Sequence, residues 1–254
     1  MNVGIVHLVR TFKYLLTNRV EYDTFETTLR NIVSHRCFKL RRCFMANRVE
    51  GVTEKLLECA MQEFLANGYN GASMRTIAEN AGTTPRSIYT RYEDKEGLFC
   101  ALVDAPAKEL TDFFELHMRQ YSQRPVEEQR ELFHDEEFDR EHKGYMQSII
   151  DLMYDNYDAF KLLICCAEGT RYGSFIEDIA ELDERYTLKY IEDTGNDVIS
   201  SGRAGRLLIH QLCSSYMYGF FEVIRHDMSK EEAQMHIAQL QSFFSHGWDK
   251  LFNP

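Results

Sequence analysis

Between residues 53 and 99, apolar side chains recur at helical spacing in four runs, each opened by a residue suited to capping a helix. Thr53 precedes the first, whose apolar positions Leu56, Leu57, Ala60, Phe64 and Leu65 share a face. Asn67-Gly68 closes that run, since glycine enters the left-handed conformation after a last turn without a Cβ clash. Ser73 caps a second helix that carries Ile77, Ala78 and Ala81 inward, and Gly82 ends it. Thr84 caps a third, with Pro85 at the first helical position, where a missing N–H costs nothing. Ile88 and Tyr92, one turn apart, are its inward pair. Asp94 caps a longer fourth helix that begins Lys95-Glu96-Gly97-Leu98-Phe99.

The two short helices around Gly82 form a helix-turn-helix unit, although a purely structural hairpin has the same pattern. Further on, segments around 95–120, 138–156, 157–168, 173–193, 204–226 and 230–252 carry apolar residues at three- and four-residue intervals. Irregular connections are expected from Ser122 to Arg140, around Pro125, and from Thr194-Gly195-Asn196 to Ser201-Gly202. The fold class is therefore all-α, with a small N-terminal helical domain and a larger helical bundle.

Composition agrees: four prolines in 254 residues, 44% hydrophobic and 27% charged side chains. No apolar stretch is long enough for a transmembrane helix, so no membrane partner is expected, and the cysteine usage that follows is the ground for expecting a cytoplasmic protein. Seven scattered cysteines with no C-x-x-C pair read as reduced thiols. The adjacent Cys165 and Cys166 fit small buried apolar residues better than a redox sensor. The net charge of −11 argues against nucleic acid until its distribution is considered. Residues 1–44 carry a net +5 and residues 45–254 a net −16, so any DNA contact there is confined to a small basic face. The basic stretch 1–44, with no acid from Met1 to Val20 as in transit peptides, is read as an extension dispensable for the fold. A basic arm that grips DNA is the functional alternative.

Several fixed-spacing features occur together: Phe64 with Gly68-Tyr69, Thr76-Ile77-Ala78, Ala81-Gly82, Ile88-Tyr89-x-x-Tyr92, and Lys95-x-x-Leu98. In this the segment Thr53–Leu98 resembles the N-terminal DNA-binding domain of the TetR/AcrR family of repressors. The resemblance implies a helix-turn-helix DNA-binding domain over 45–97 and an effector-binding and dimerisation domain over 98–254. It also implies base contacts from Pro85, Arg86, Ser87 and Thr90, and phosphate contacts from Tyr89 and Lys95. Pro85 departs from a position where lysine is frequent, and Arg91 from one where an aromatic is frequent. Physical chemistry supports the same surface. Arg86 lies in the first turn of the third helix and is able to bond guanine O6 and N7 together. Ser73 and Thr84 stand at helix N-termini, which favour phosphate oxygens, although both also read simply as caps.

One such unit reads few bases, so a homodimer on near-palindromic double-stranded DNA is expected. Leu208, Leu212, Ser215 and Gly219 form one stripe, and Ile237, Leu240, Phe244 and Trp248 another; these are the expected dimer interface, with intrachain core as the alternative. A small-molecule effector is expected in the middle of the chain, among Met146, Ile149, Met153, Phe160 and Ile164, with Tyr172, Tyr216 and Phe220. Glu168 is its expected polar member, and with Arg171 it reads equally as a surface ion pair. The implied mechanism is a population shift, in which ligand favours a form whose reading heads are misspaced, the fourth helix being the link. The rival readings are a DNA-binding regulator without a small ligand and a metal-dependent helical enzyme. The acid and histidine cluster from His134 to His142 carries the latter, but it lacks metal-site spacing, and no catalytic motif accompanies it. No enzyme activity, cofactor or metal is expected.

Overall fold

The computed structural model describes residues 50–130 and 136–254, with the side chains of 50–52 and 136–143 excepted. The chain divides into two compact units, Met1–Thr53 and Glu54–Pro254. The basic stretch 1–44 lies outside the described residues, as do the side chains of the His134–His142 cluster.

Helix α1 spans Glu50–Gly71 and kinks at Gly68, whose φ of 66° is the left-handed geometry expected there; the chain then adds one more turn. Ser73 accepts from the Thr76 N–H and opens α2, Met74–Ala81, which ends at Gly82 with φ 67°. Thr84 accepts from the Ser87 N–H and opens α3, Pro85–Tyr92. Asp94 accepts from the Gly97 N–H at 2.7 Å and opens α4, Lys95–Ser122. The expected caps at Ser73, Thr84 and Asp94 therefore form, whereas Thr53 is no cap, because α1 already begins at Glu50 and Thr53 lies within its first turn. The α3–α4 junction is tight, and a Cβ on Gly97 would lie 1.9 Å from the Tyr92 carbonyl oxygen.

The expected irregular stretch after Ser122 contains a short helix, α5, Val126–Arg130. Gln129 is buried and donates to the carbonyls of Ser122 and Arg124, while the Arg130 guanidinium donates to the Thr194 carbonyl. Next come α6, Glu136–Asp155, and α7, Tyr157–Lys161, the latter passing into a π-helical turn at Leu162–Cys166. After a loop follow α8, Phe175–Thr194, α9, Arg206–Arg225, and α10, Lys230–Phe252. Ser229 and Glu232 start α10 with a reciprocal capping box.

Helix α4 meets α3 at its start and packs further along on α6, α7 and α8, while α8 packs chiefly on α9. One hydrophobic core runs from Leu56, Phe64 and Ile77 through Leu98 and Phe99 to Met153, Phe220 and Ile237. A smaller cluster joins Ile191, Val198, Ile209, Cys213 and Phe252. Among the described residues no helix is long and apolar enough to cross a membrane.

Helix α10 is partly covered within the chain. Ile237 is only 1% exposed, Leu240 covers Gly219, Phe244 rests on Tyr216 at 5.2 Å, and Trp248 stacks on Phe252 at 5.2 Å. Ile237 is thus core, while Leu240, Phe244 and Trp248 keep part of their surface exposed beside these intrachain neighbours. The large apolar side chains that face outward are Leu207 and Leu208 on α9 and Met235 and Phe243 on α10, and Ser215 is also exposed.

Candidate nucleic-acid interface

Helix α3 is anchored by Ile88, which is fully buried, and by the half-buried Tyr92. Its opposite side presents Arg86, Tyr89, Thr90 and Arg91 to solvent, with Tyr89 46% exposed although it is a large aromatic. Arg86 and Thr90 are one turn apart, and the Thr90 hydroxyl donates to the Arg86 carbonyl at 2.8 Å. Pro85 and Ser87 are half-buried at the helix start, beside the exposed Thr84. Among the described residues Arg86 has no ion-pair partner, so its five donors remain available to a ligand.

Ser73 is held from both sides: its N–H donates to Glu63 Oε1 at 2.9 Å and its hydroxyl caps α2. Arg75 is exposed on α2 but paired with Glu79 at 2.7 Å. Lys95 also differs from a freely extended cation. Its ammonium donates to the Asn70 carbonyl at 3.3 Å and lies 4.9 Å from the centre of the Tyr69 ring. Burial holds its pKa below the usual lysine value, against a smaller opposing pull from Glu63. In this conformation Lys95 joins the end of α1 to the start of α4, and contact with a phosphate would require it to exchange those partners.

The expected effector residues are brought together only in part. Met146, Ile149, Met153, Phe160, Ile164 and Phe220 are all buried in the main core. Glu168 is exposed and Tyr172 turns to α4, where its hydroxyl donates to Asp104 at 2.8 Å. Arg171 forms an exposed ion pair with the same carboxylate, so it belongs to the surface. Cys166 is buried but Cys165 is exposed, and burial raises both thiols, which disfavours the reactive thiolate. Among the described residues no group of three or more His, Cys, Asp or Glu is arranged to hold a metal ion.

A short helix held at a fixed angle to its neighbour, anchored by one fully buried residue and polar outside, defines a helix-turn-helix protein. Residues 56–102 match the model of the bacterial regulatory proteins, tetR family, so the chain carries a tetR-family domain. The HTH-type transcriptional repressor AcnR of Corynebacterium diphtheriae is 34% identical over 59 residues, covering 23% of this chain and 31% of that protein. The match thus spans about a third of that relative's length. A putative tetR-family transcriptional regulator from Mesorhizobium loti aligns over 78% of this chain and 96% of its own at 18% identity. Its TM-score is 0.35, and at that value the likeness carries no argument.

Proposed function

We propose that the protein is a DNA-binding transcriptional regulator that acts as a homodimer on a near-palindromic operator, as a repressor released by a small-molecule effector. The observation that carries this reading is the outward face of α3, where Arg86, Tyr89 and Thr90 stand over the buried Ile88. Arg86 is placed to reach base edges in a major groove, Thr90 to hydrogen-bond beside it, and Tyr89 to reach a phosphate. The N-termini of α2 and α3, capped by Ser73 and Thr84, direct backbone N–H groups toward further phosphates.

The net charge of −16 over residues 45–254 disfavours DNA contact from the other faces of that part of the chain. One head supplies few contacts, and the outward apolar residues Leu207, Leu208, Met235 and Phe243 favour pairing of two copies. A cytoplasmic location fits such a role. The test is selection of bound duplexes from a random pool by the full chain, repeated with a panel of metabolites and drugs. The expected product is a site with two related half-sites. A pool that fails to enrich any sequence overturns the reading.

A further inference from the structure

Ile88 and Tyr92 mark the inward direction of α3, and with 3.6 residues per turn Thr90 stands roughly 160° from each of them. Thr90 is therefore the side chain at the middle of the outward face, and Arg86 stands beside it one turn earlier. Both are exposed. Pro85 and Tyr89 lie to one side of this pair, Ser87 and Arg91 to the other.

The Thr90 hydroxyl lies 2.8 Å from the Arg86 carbonyl oxygen. A carbonyl oxygen only accepts, so the proton in this bond is the threonine's own. The bond also fixes the rotamer of Thr90, since the hydroxyl must turn back along the helix to reach residue 86. What Thr90 then offers to a ligand is a methyl group and the lone pairs of an oxygen whose donor is already committed. Arg86 is its chemical opposite, with five N–H donors in a planar fork and no acceptor.

The two side chains call for different base pairs. A G·C pair presents two acceptors on guanine in the major groove, which match the arginine fork, and one donor on cytosine, but no methyl group. An A·T pair presents the adenine amino donor and the thymine C5 methyl, one on each base. It supplies a donor for the Thr90 oxygen together with an apolar partner for the Thr90 methyl. Along the helix axis Arg86 and Thr90 are about 6 Å apart, close to the rise of two base pairs.

We propose that Thr90 is a specificity-determining residue: its hydroxyl oxygen and methyl select an A·T pair, within about two base pairs of the G·C pair read by Arg86. With its rotamer set in advance by the Arg86 carbonyl, Thr90 loses little freedom on binding. This selection rests on the assignment of α3 as the DNA-reading helix and goes beyond it in naming a base pair.

The test starts from the duplex that the full chain selects from a random pool. Uracil in place of thymine removes the C5 methyl, and unsubstituted purine in place of adenine removes the amino donor. Each is introduced at one position of a half-site at a time. Thr90→Ser keeps the hydroxyl and loses the methyl, whereas Thr90→Val keeps the methyl and loses the hydroxyl. Position 90 is exposed, so both variants are expected to fold as the wild type does. We expect one A·T pair at which uracil and purine each weaken wild-type binding by about three- to tenfold. The uracil loss is expected to persist in Thr90→Val and vanish in Thr90→Ser, and the purine loss to do the reverse. Losses that are the same in all three proteins would show that Thr90 touches neither group and would overturn the selection. So would a half-site with no A·T pair sensitive to both analogues. A pool that enriches no duplex removes the DNA reading and this selection together. An enriched duplex indifferent to Thr90 removes the selection alone and leaves the regulator reading intact.

Discussion

The backbone N–H of Arg171 donates to Glu96 Oε1 at 2.7 Å, joining the loop after the π-helical turn to the first turn of α4. Three further contacts fall in the same place: Asp104 receives both the Arg171 guanidinium and the Tyr172 hydroxyl, and Gly169 approaches Asn70 so closely that a Cβ would meet its side chain at 2.7 Å. Lys95 reaches the same Asn70 through its carbonyl. The loop 167–174 thus touches both helices that flank the reading head. Replacing Glu96 by Ala removes a charge-assisted bond, worth about 1.5–3 kcal/mol. Amide hydrogen exchange in residues 169–173 is expected to quicken by about an order of magnitude, while exchange in α9 stays unchanged. Unchanged exchange at 169–173 would show that Asp104 alone holds the loop.

Arg86 is the residue to which the proposed function gives the base-reading role. Arg86→Ala is expected to cut preference for the selected operator over random duplex by about 10- to 100-fold, from a loss of about 1–3 kcal/mol. Dimerisation and ligand binding are expected to be untouched. Arg86→Lys keeps the charge but loses the planar fork, so it is expected to recover general DNA affinity without recovering selectivity. Competition binding against random duplex separates the two, and full selectivity in either variant would remove Arg86 from the reading set.

Gly97 has no room for a side chain. In Gly97→Ala the new methyl must push the Tyr92 carbonyl away, so α3 and α4 separate or tilt. The expected cost is about 1–3 kcal/mol, read as a lower midpoint of thermal unfolding. Operator affinity should fall beyond what the unfolded fraction accounts for, because α3 is the element displaced. A variant with unaltered melting would mean that the junction relaxes freely.

Asp183 makes stability depend on pH in an unusual direction. Its folded-state pKa of about 6 lies above the ordinary 3.8, so the folded chain holds this proton more tightly than the unfolded chain. The resulting contribution is complete below pH 3.8 and is lost as pH rises through about 6, a difference on the order of 3 kcal/mol. Asp151, Asp227 and Glu232 are held below their ordinary values by hydrogen bonds and act in the opposite sense. The comparison is therefore between wild type and Asp183→Asn. The variant is expected to be more stable at neutral pH, with its advantage vanishing toward pH about 4. An advantage that does not vary with pH would trace to packing instead.

Phe243 projects from α10 with 76% of its surface exposed, beside Gln239, Ser242 and His246. Phe243→Glu places a charge on the apolar face assigned to pairing. Sedimentation is expected to show a shift toward monomer, and operator binding is expected to weaken with it. A variant that remains dimeric would move the interface elsewhere.

The legible parts of this chain were those governed by local chemistry. Ser73, Thr84 and Asp94 announce helix starts because a side-chain oxygen satisfies an N–H three residues on, whatever the rest of the chain does. Gly82 marks an end and Gly68 a kink for an equally local reason. The five-residue α5 was hidden because so short a helix carries no periodicity, and the Gln129 bonds that hold it are visible only in three dimensions. The π-helical turn keeps the apolar content of an ordinary helix, so sequence does not distinguish it. Within the Ile237–Trp248 stripe only Ile237 is fully buried, and periodicity does not say what covers the rest. Asp183 went unnoticed because a lone acid within an apolar stripe looks like a solvated position. At the reading head, the surface positions followed from the period of α3, but the capture of Lys95 by Asn70 and Tyr69 depends on packing between distant segments.

The aromatic trio at the head has a practical consequence. Phe99 sits edge-on to both Phe64 and Tyr69, at 5.2 and 5.6 Å, and Leu98 and Val103 are buried with it. A chimera grafting this head onto another sensor, with the splice at residue 97, would leave half of that cluster behind in the donor. The recipient's own first helix would have to present an edge of identical shape to Phe64. Exchange of specificities between such proteins is therefore better achieved by re-surfacing α3 in place, or by moving the splice past Val103 so that the trio travels intact.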